Sequence, residues 1–110
     1  MVNVRVQDAR SDDLYVDLVL PAVPPVGTVL TFVFPREICA EDEFKVQVGP
    51  VEWYSLLPDA YLTTGKLVGK HVDLRTDLLV RAFVESGWKS GDPLHDPFEP
   101  SRLFDWKRSR

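Results

Sequence analysis

The sequence predicts a mostly β (α+β) domain, in the form of a small five-stranded antiparallel barrel or sandwich, with one helix near residues 74–86 and an extended C-terminal tail. Three observations support this fold class. Apolar residues alternate with polar ones in several short runs, which is typical of strands that bury one face. Prolines and glycines separate these runs. One later segment carries apolar residues at helical spacing.

The length and composition are those of one globular domain. The chain has 110 residues, of which 45% are hydrophobic and 27% are charged, which is close to the average for globular proteins. We therefore expect residues 1–91 to form a β-rich globular domain that ends in the helix. Residues 92–110 are expected to form a proline-rich, extended tail with aromatic and basic side chains.

The first three predicted strands are separated by polar or proline-rich connections. Residues 2–7 alternate apolar and polar side chains, and residues 14–20 resume the alternation after a polar cluster at 8–13. Prolines and Gly27 then interrupt the chain. Residues 28–34 are apolar on both sides, which predicts a central strand of the sheet.

The fourth and fifth predicted strands follow a charged connector. Residues 44–48 alternate again, and Gly49–Pro50 predicts a bulge or sharp bend before the same strand continues through residues 51–55. Residues 57–65 contain proline, threonine and glycine and are expected to form a loop. Residues 66–72 are the predicted fifth strand.

The predicted helix has a clear apolar stripe and a clear C-terminal signal. Its charged side chains Asp77, Arg81 and Glu85 stand four residues apart with alternating sign, which favours ion pairs along the exposed face. Gly87 followed by Trp88 is typical of a left-handed cap with an apolar contact. The stripe consists of Leu74, Leu78, Leu79, Ala82 and Phe83.

Charge is distributed unevenly along the chain. The net charge is −4, which argues against general binding of nucleic acid. Residues 1–100 hold 9 basic and 16 acidic side chains, whereas residues 101–110 hold four basic side chains and one acidic one. The tail is therefore a separate electrostatic unit.

The tail contains the candidate partner-binding residues. Its large apolar side chains need a place to be buried, and prolines keep them out of regular structure. They either pack on their own domain or dock into a groove of another subunit or partner, where aromatic and arginine side chains are effective anchors. The candidates are Phe98, Arg102, Leu103, Phe104, Trp106, Lys107, Arg108 and Arg110.

These features favour a protein-interaction or assembly module that self-associates into a homo-oligomer or binds a protein partner through its tail. Deleting residues 93–110 is then expected to abolish association and leave the core folded. The single cysteine, Cys39, cannot form an intramolecular disulfide, and no secretory signal or apolar run of about 20 residues is present. We therefore expect a cytoplasmic protein without a membrane partner.

A nucleic-acid or nucleotide-binding barrel is the first alternative. Small β-barrels of that kind stack bases on exposed aromatic side chains and contact phosphates with basic ones. Trp53 or Tyr54 would supply the stacking surface, and Arg108 and Arg110 would contact phosphates. The net negative charge makes nucleic acid the less favoured partner.

A small enzyme is the second alternative, with His71 and Asp73 as an acid–base pair. We favour a protein that is not an enzyme, because the chain contains no recognisable catalytic or phosphate-binding motif. The acidic residues that flank Cys39 in the sequence are expected to raise the pKa of its thiol, which disfavours a reactive thiolate. His71, Asp73, His95, Asp96 and Cys39 have no spacing typical of a metal site, so neither a metal nor another cofactor is expected.

Overall fold

The computed structural model describes residues 1–11, 13–33, 43–54, 60–69 and 76–102. Within these ranges the fold is mostly β, with one helix and a strongly curled sheet that resembles half a barrel. The predicted class is confirmed at this level. The elements are β1 (Val2–Asp8), β2 (Leu14–Leu20), β3 (Val29–Val33), β4 (Glu43–Val48), β5 (Glu52–Tyr54), β6 (Ala60–Val68), α1 (Thr76–Glu85) and β7 (Lys89–Ser90).

The sheet is mixed rather than wholly antiparallel. Its strand order is β3-β4-β6-β1-β2-β7, and β5 also pairs with β6. β1 and β6 run parallel, with Val6 opposite Thr63, whereas the other pairings among the described strands are antiparallel. The expectation of an all-antiparallel sheet is wrong at this pair. Four strands separate β1 from β6 in the chain, and this long connection lets β6 return beside β1 in the same direction.

The fifth predicted strand exists, but it begins earlier than expected. Residues 60–65 were expected to lie in a loop, because their glycine and threonines resemble a turn, yet they are the first two thirds of β6. A Cβ atom on Gly65 would lie 2.5 Å from Cγ1 of Val46 and 2.7 Å from Cγ1 of Val6. Gly65 therefore allows close packing inside the sheet. The predicted continuation to residue 72 falls outside the described residues from residue 70 onward.

The third predicted strand is an edge strand, not the central one. β3 stands at one end of the strand order. Leu30 and Phe32 are buried, but Val29 on the opposite face is 44% exposed. The prediction of a central strand is therefore wrong, because apolar side chains such as Val29 are tolerated on an exposed face and do not establish that both faces are buried.

The bulge or bend predicted at Gly49–Pro50 is confirmed, because residues 49–51 face only residues 63 and 64 of β6. β4 ends at Val48 and β5 begins at Glu52, and both pair with β6. The amide of Gly49 donates to the carbonyl of Thr64 at 2.9 Å. The hydroxyl of Thr63 lies 3.0 Å from the carbonyl oxygens of both Gly49 and Pro50. These contacts hold the bend against β6.

The hydrophobic core lies between one face of the sheet and α1. The helix lies within the predicted range, and the described part of its apolar stripe buries Leu79, Ala82 and Phe83. Ring contacts join the helix to the sheet. The ring of Phe83 in α1 packs edge-on against that of Phe44 in β4, with centroids 5.2 Å apart. The core cluster contains Val4, Val6, Leu14, Val16, Leu18, Leu20, Leu30, Phe32, Phe44, Val46, Val48, Leu67, Leu79, Ala82, Phe83 and Trp88.

The C-terminal cap predicted for the helix is confirmed. Gly87 has a φ of 100°, the left-handed conformation that glycine tolerates best. The amide of Gly87 donates to the carbonyl of Val84 at 3.2 Å, and the amide of Trp88 donates to the carbonyl of Phe83 at 3.0 Å. This pair of bonds is the Schellman arrangement. The rings of Phe83 and Trp88, with centroids 4.7 Å apart, provide the accompanying apolar contact.

Candidate functional site

A buried ion pair lies on the outer face of the sheet, opposite the core. Val4 and Val6 face the core, so Arg5 between them faces outward. Arg5 stands directly opposite Asp17 in the β1–β2 register. Although both lie on the outer face, neither side chain is exposed. Buried charges in proteins are paired, and something must cover these two.

Residues 92–101, which we call the strap, cover the ion pair. Nε and Nη2 of Arg5 donate to the two carboxylate oxygens of Asp17 at 2.6 and 2.8 Å. The other N–H groups donate to the carbonyls of Pro93, Asp96 and Pro97 at 3.0, 2.9 and 3.0 Å. All five guanidinium donors are therefore satisfied. Burial lowers the pKa of Arg5, but the hydrogen bond and charge of Asp17 outweigh it, so this pKa is raised above its ordinary value.

Further hydrogen bonds hold the end of the strap along β2. The amide of Glu99 donates to Oδ2 of Asp17 at 2.8 Å, and the amide of Ser101 donates to the backbone carbonyl of the same residue at 2.8 Å. Nζ of Lys89, in β7, donates to the carbonyl of Glu99 at 2.6 Å. Asp17 thus connects β1, β2 and the strap.

Two tyrosines fix the start of the strap. The hydroxyl of Tyr15 donates to Oδ2 of Asp96 at 2.8 Å, and the Tyr15 ring lies under the Arg5 guanidinium, 4.4 Å from Cζ. Burial and the Asp96 hydrogen bond raise the pKa of Tyr15 above its ordinary value. The hydroxyl of Tyr54 donates to the carbonyl of Leu94. Tyr54, a candidate for base stacking, is therefore engaged by the strap.

The two potential metal ligands within the strap belong to a hydrogen-bonded turn. Nδ1 of His95 lies 2.7 Å from Oδ2 of Asp92, and this contact lowers the pKa of Asp92. The carboxylate of Asp96 accepts from the amide of Asp92 as well as from Tyr15. Among the described residues, no group of three His, Cys, Asp or Glu could hold a metal ion. The other three candidate ligands lie outside the described residues: Cys39, His71 and Asp73.

The described part of the predicted tail packs on its own domain. Phe98 is half-buried and Arg102, just beyond the strap, is exposed. The division between residues 1–91 and 92–110 stays a prediction, but residues 92–101 make the intramolecular contacts described above. The remaining predicted partner-binding residues lie outside the described residues: Leu103, Phe104, Trp106, Lys107, Arg108 and Arg110.

Trp53, the other candidate for base stacking, is 68% exposed. It stands opposite Tyr61 in the β5–β6 register, whereas Tyr54 stands opposite Ala60. The two aromatic residues therefore lie on opposite faces, as the alternation predicts. Glu52, which shares the face of Tyr54, is also exposed. Its negative charge disfavours a phosphate backbone on that face.

Sequence reasoning missed a second polar feature, at the end of β1. Asp8 is only 4% exposed, and its Oδ1 has no hydrogen-bond partner among the described residues. Asp8 lines a pocket of about 190 Å³ between β1, β2 and α1. Burial raises the pKa of its carboxyl group, while the backbone amides and charge of the adjoining turn oppose this shift. The sequence shows Asp8 only as one member of a polar turn.

Replacing Asp8 with asparagine is expected to change the pH dependence of stability. Because the pKa of Asp8 is raised on folding, ionisation of this group destabilises the folded state. Its favourable contribution is fully present below the unfolded-state pKa of about 3.9 and is lost as the pH rises through the folded-state pKa. D8N should therefore gain stability relative to the natural chain as the pH rises from about 4 through the folded-state pKa of Asp8.

Urea unfolding of both proteins across this pH range measures the difference directly. Taking the difference removes the contributions of groups that titrate independently of Asp8. The effects of Arg10, which lowers this pKa, and of Asp13, which raises it, remain part of the measured difference. A difference that stays constant, or that favours the natural chain as the pH rises, would contradict the assignment.

Within the described ranges, no helix has the length and apolar character needed to cross a bilayer. Comparison of the chain with protein-family models, with curated protein sequences and with solved structures found no significant match.

Proposed function

We propose that this protein is an assembly module that uses the residues following the strap to bind an acidic protein surface, with a second copy of the chain as the first candidate. One observation carries the proposal. The strap is fixed to β1 and β2 by the buried Arg5–Asp17 network, and Arg102 immediately beyond it is exposed. The backbone is therefore fixed close to Arg102, which directly precedes the segment 103–110 in the sequence.

Anchoring of this kind favours binding. A segment tethered to a rigid point loses less freedom on association than one at the end of a long flexible linker. The strap is bonded as far as Ser101, so few residues separate the fixed backbone from the candidate binding residues. The half-buried ring of Phe98 belongs to the strap. We therefore assign Phe98 an anchoring role and the residues from Arg102 onward a contacting role.

The chemistry of the segment suggests its partner. Residues 103–110 include Leu103, Phe104 and Trp106, followed by three basic side chains. Aromatic and arginine side chains are enriched among residues that dominate binding energy. Residues 1–100 carry seven more acidic than basic side chains, so a second copy offers an opposite charge.

Truncation after Arg102 tests the proposal. The deletion of residues 93–110 is unsuitable, because it also removes the carbonyls that pair with Arg5. We expect the full chain to sediment as an oligomer and the truncated chain as a monomer with an unchanged melting temperature. A peptide of residues 100–110 should bind the truncated chain, more weakly as salt increases.

A matched pair of charge variants separates specific contacts from net charge. Lys107→Gln with Arg108→Gln should weaken association, whereas Lys45→Gln with Lys66→Gln removes the same charge from exposed positions of β4 and β6 and should leave it unchanged. A full chain that is monomeric at all concentrations, together with a peptide that does not bind, would contradict self-association.

A further inference from the structure

The pocket beside Asp8 combines apolar walls with one deeply buried carboxyl group. Its apolar lining comes from Leu14 in β2 and from Leu79, Val80 and Phe83 in α1. Val80 is 37% exposed and Arg10 is exposed, so the pocket reaches the protein surface between the helix and the β1–β2 turn. Ligand sites typically have this composition, with mostly apolar walls and a few polar groups that fix orientation.

The polar groups of the pocket can accept hydrogen bonds from a ligand. Oδ1 of Asp8 has no hydrogen-bond partner among the described residues, and it is buried from solvent, so a ligand in the pocket reaches it through a rotation of this side chain. The hydroxyl of Ser11 donates to Oδ1 of Asp13 at 2.5 Å, which leaves its own lone pairs available. The guanidinium of Arg10 is the donor in the lining, and because it is exposed its charge is largely screened by water. A ligand should therefore place hydrogen-bond donors, not acceptors, against the inner wall of the pocket beside Asp8.

We propose that this pocket binds a small apolar amine, whose ammonium group donates to the carboxylate of Asp8 and whose hydrocarbon part packs against Leu79 and Phe83. The proposal is independent of the tail. A positive group opposite Asp8 supplies the partner that a buried carboxylate requires. An anionic ligand is disfavoured, because it would place a second negative charge beside the same carboxylate.

The volume limits the size of the amine. The pocket measures about 190 Å³, and an apolar cavity of about 150 Å³ holds a benzene ring. One ring or a branched chain of similar size, with an aminomethyl group, fills the space. Benzylamine is therefore a suitable probe, and toluene and benzyl alcohol have nearly the same shape without the positive charge.

Titration of the isotope-labelled full chain with each probe tests the proposal by NMR. Benzylamine should shift the amide signals of Asp8, Ser11, Leu79 and Val80 at millimolar concentration. D8N should weaken its binding about tenfold or more, because a charge-assisted hydrogen bond is lost. Glu52→Gln, which removes an exposed carboxylate on β5 away from the pocket, should leave the affinity unchanged.

A second variant keeps the test independent of any structural effect of D8N. Val80→Phe adds a ring to the half-exposed wall of the pocket and should abolish binding, with the melting temperature as a check on folding. The proposal would be overturned if toluene bound with the same affinity as benzylamine and if D8N left both affinities unchanged. The site would then be an apolar cavity without a role for the carboxylate. Absence of shifts at the pocket amides with benzylamine would also overturn the proposal.

Discussion

Replacing Asp17 with alanine is expected to destabilise the fold by about 3–5 kcal/mol, the usual cost of leaving a buried charge without its partner. Arg5 would keep its charge and its burial, and two of its five donors would lose their acceptors. The strap would also lose the carboxylate oxygen that accepts from Glu99. Chemical unfolding of the natural and variant chains measures this change, which is a large part of the stability of a small domain.

A double-mutant cycle distinguishes the interaction between Arg5 and Asp17 from general destabilisation of the fold. Arg5→Ala should also be costly, because Asp17 loses the two hydrogen bonds from Arg5 and three strap carbonyls lose their donor. In the Arg5→Ala chain, Asp17→Ala should lower the free energy of unfolding much less than it does in the natural chain. The charge of Arg5, which Asp17→Ala would leave unpaired, is already absent there. Additive costs would show that the two side chains do not act as a unit.

Replacing Phe83 with alanine is expected to cost about 3–5 kcal/mol, as is usual for deletion of a large buried aromatic side chain. Phe83 is 2% exposed and its ring contacts both Phe44 and Trp88. Its loss would leave a cavity between the sheet and α1, and it would remove the apolar contact of the helix cap. Thermal or chemical unfolding measures the effect.

Val84 supplies the control on the same helix. It is 46% exposed, so Val84→Ala should change stability by no more than about 0.5 kcal/mol. Helix propensity cannot explain a loss at this position, because alanine favours a helix more than valine does. A Val84→Ala variant as destabilising as Phe83→Ala would therefore contradict the assignment of Val84 to the exposed face. The comparison thus tests which face of α1 contacts the sheet.

Local patterns predict much of the fold correctly. Alternation in residues 2–7 and 14–20 identifies β1 and β2, since side chains of a strand point alternately to opposite faces. The apolar stripe and the Gly87–Trp88 cap identify α1 and its end, because both depend on residues near in sequence. β7 escapes prediction, since two residues are too few to show an alternation.

Pairing between distant strands was decided only by the tertiary structure. Gly65 resembles a turn residue in the sequence, but it lies inside β6 because Val6 and Val46 occupy the space beside it. The apolar residues of β3 suggest a central strand, yet its position at the edge depends on which strands take the places beside β4. Periodicity reports which face of a strand is buried, and it carries no information on the neighbouring strand.

The candidate sites show the same division. Composition marks the tail as aromatic and basic, and this alone makes it a candidate for binding. The sequence does not reveal that Arg5 meets the carbonyls of Pro93, Asp96 and Pro97, about ninety residues away, nor that Asp8 lines a pocket with α1. Backbone carbonyls are present at every residue, so their role depends on where folding brings them. The sequence therefore determined most of the strands, the helix and the basic C-terminal segment, whereas only the packing of distant segments decided which charges are buried and what they contact.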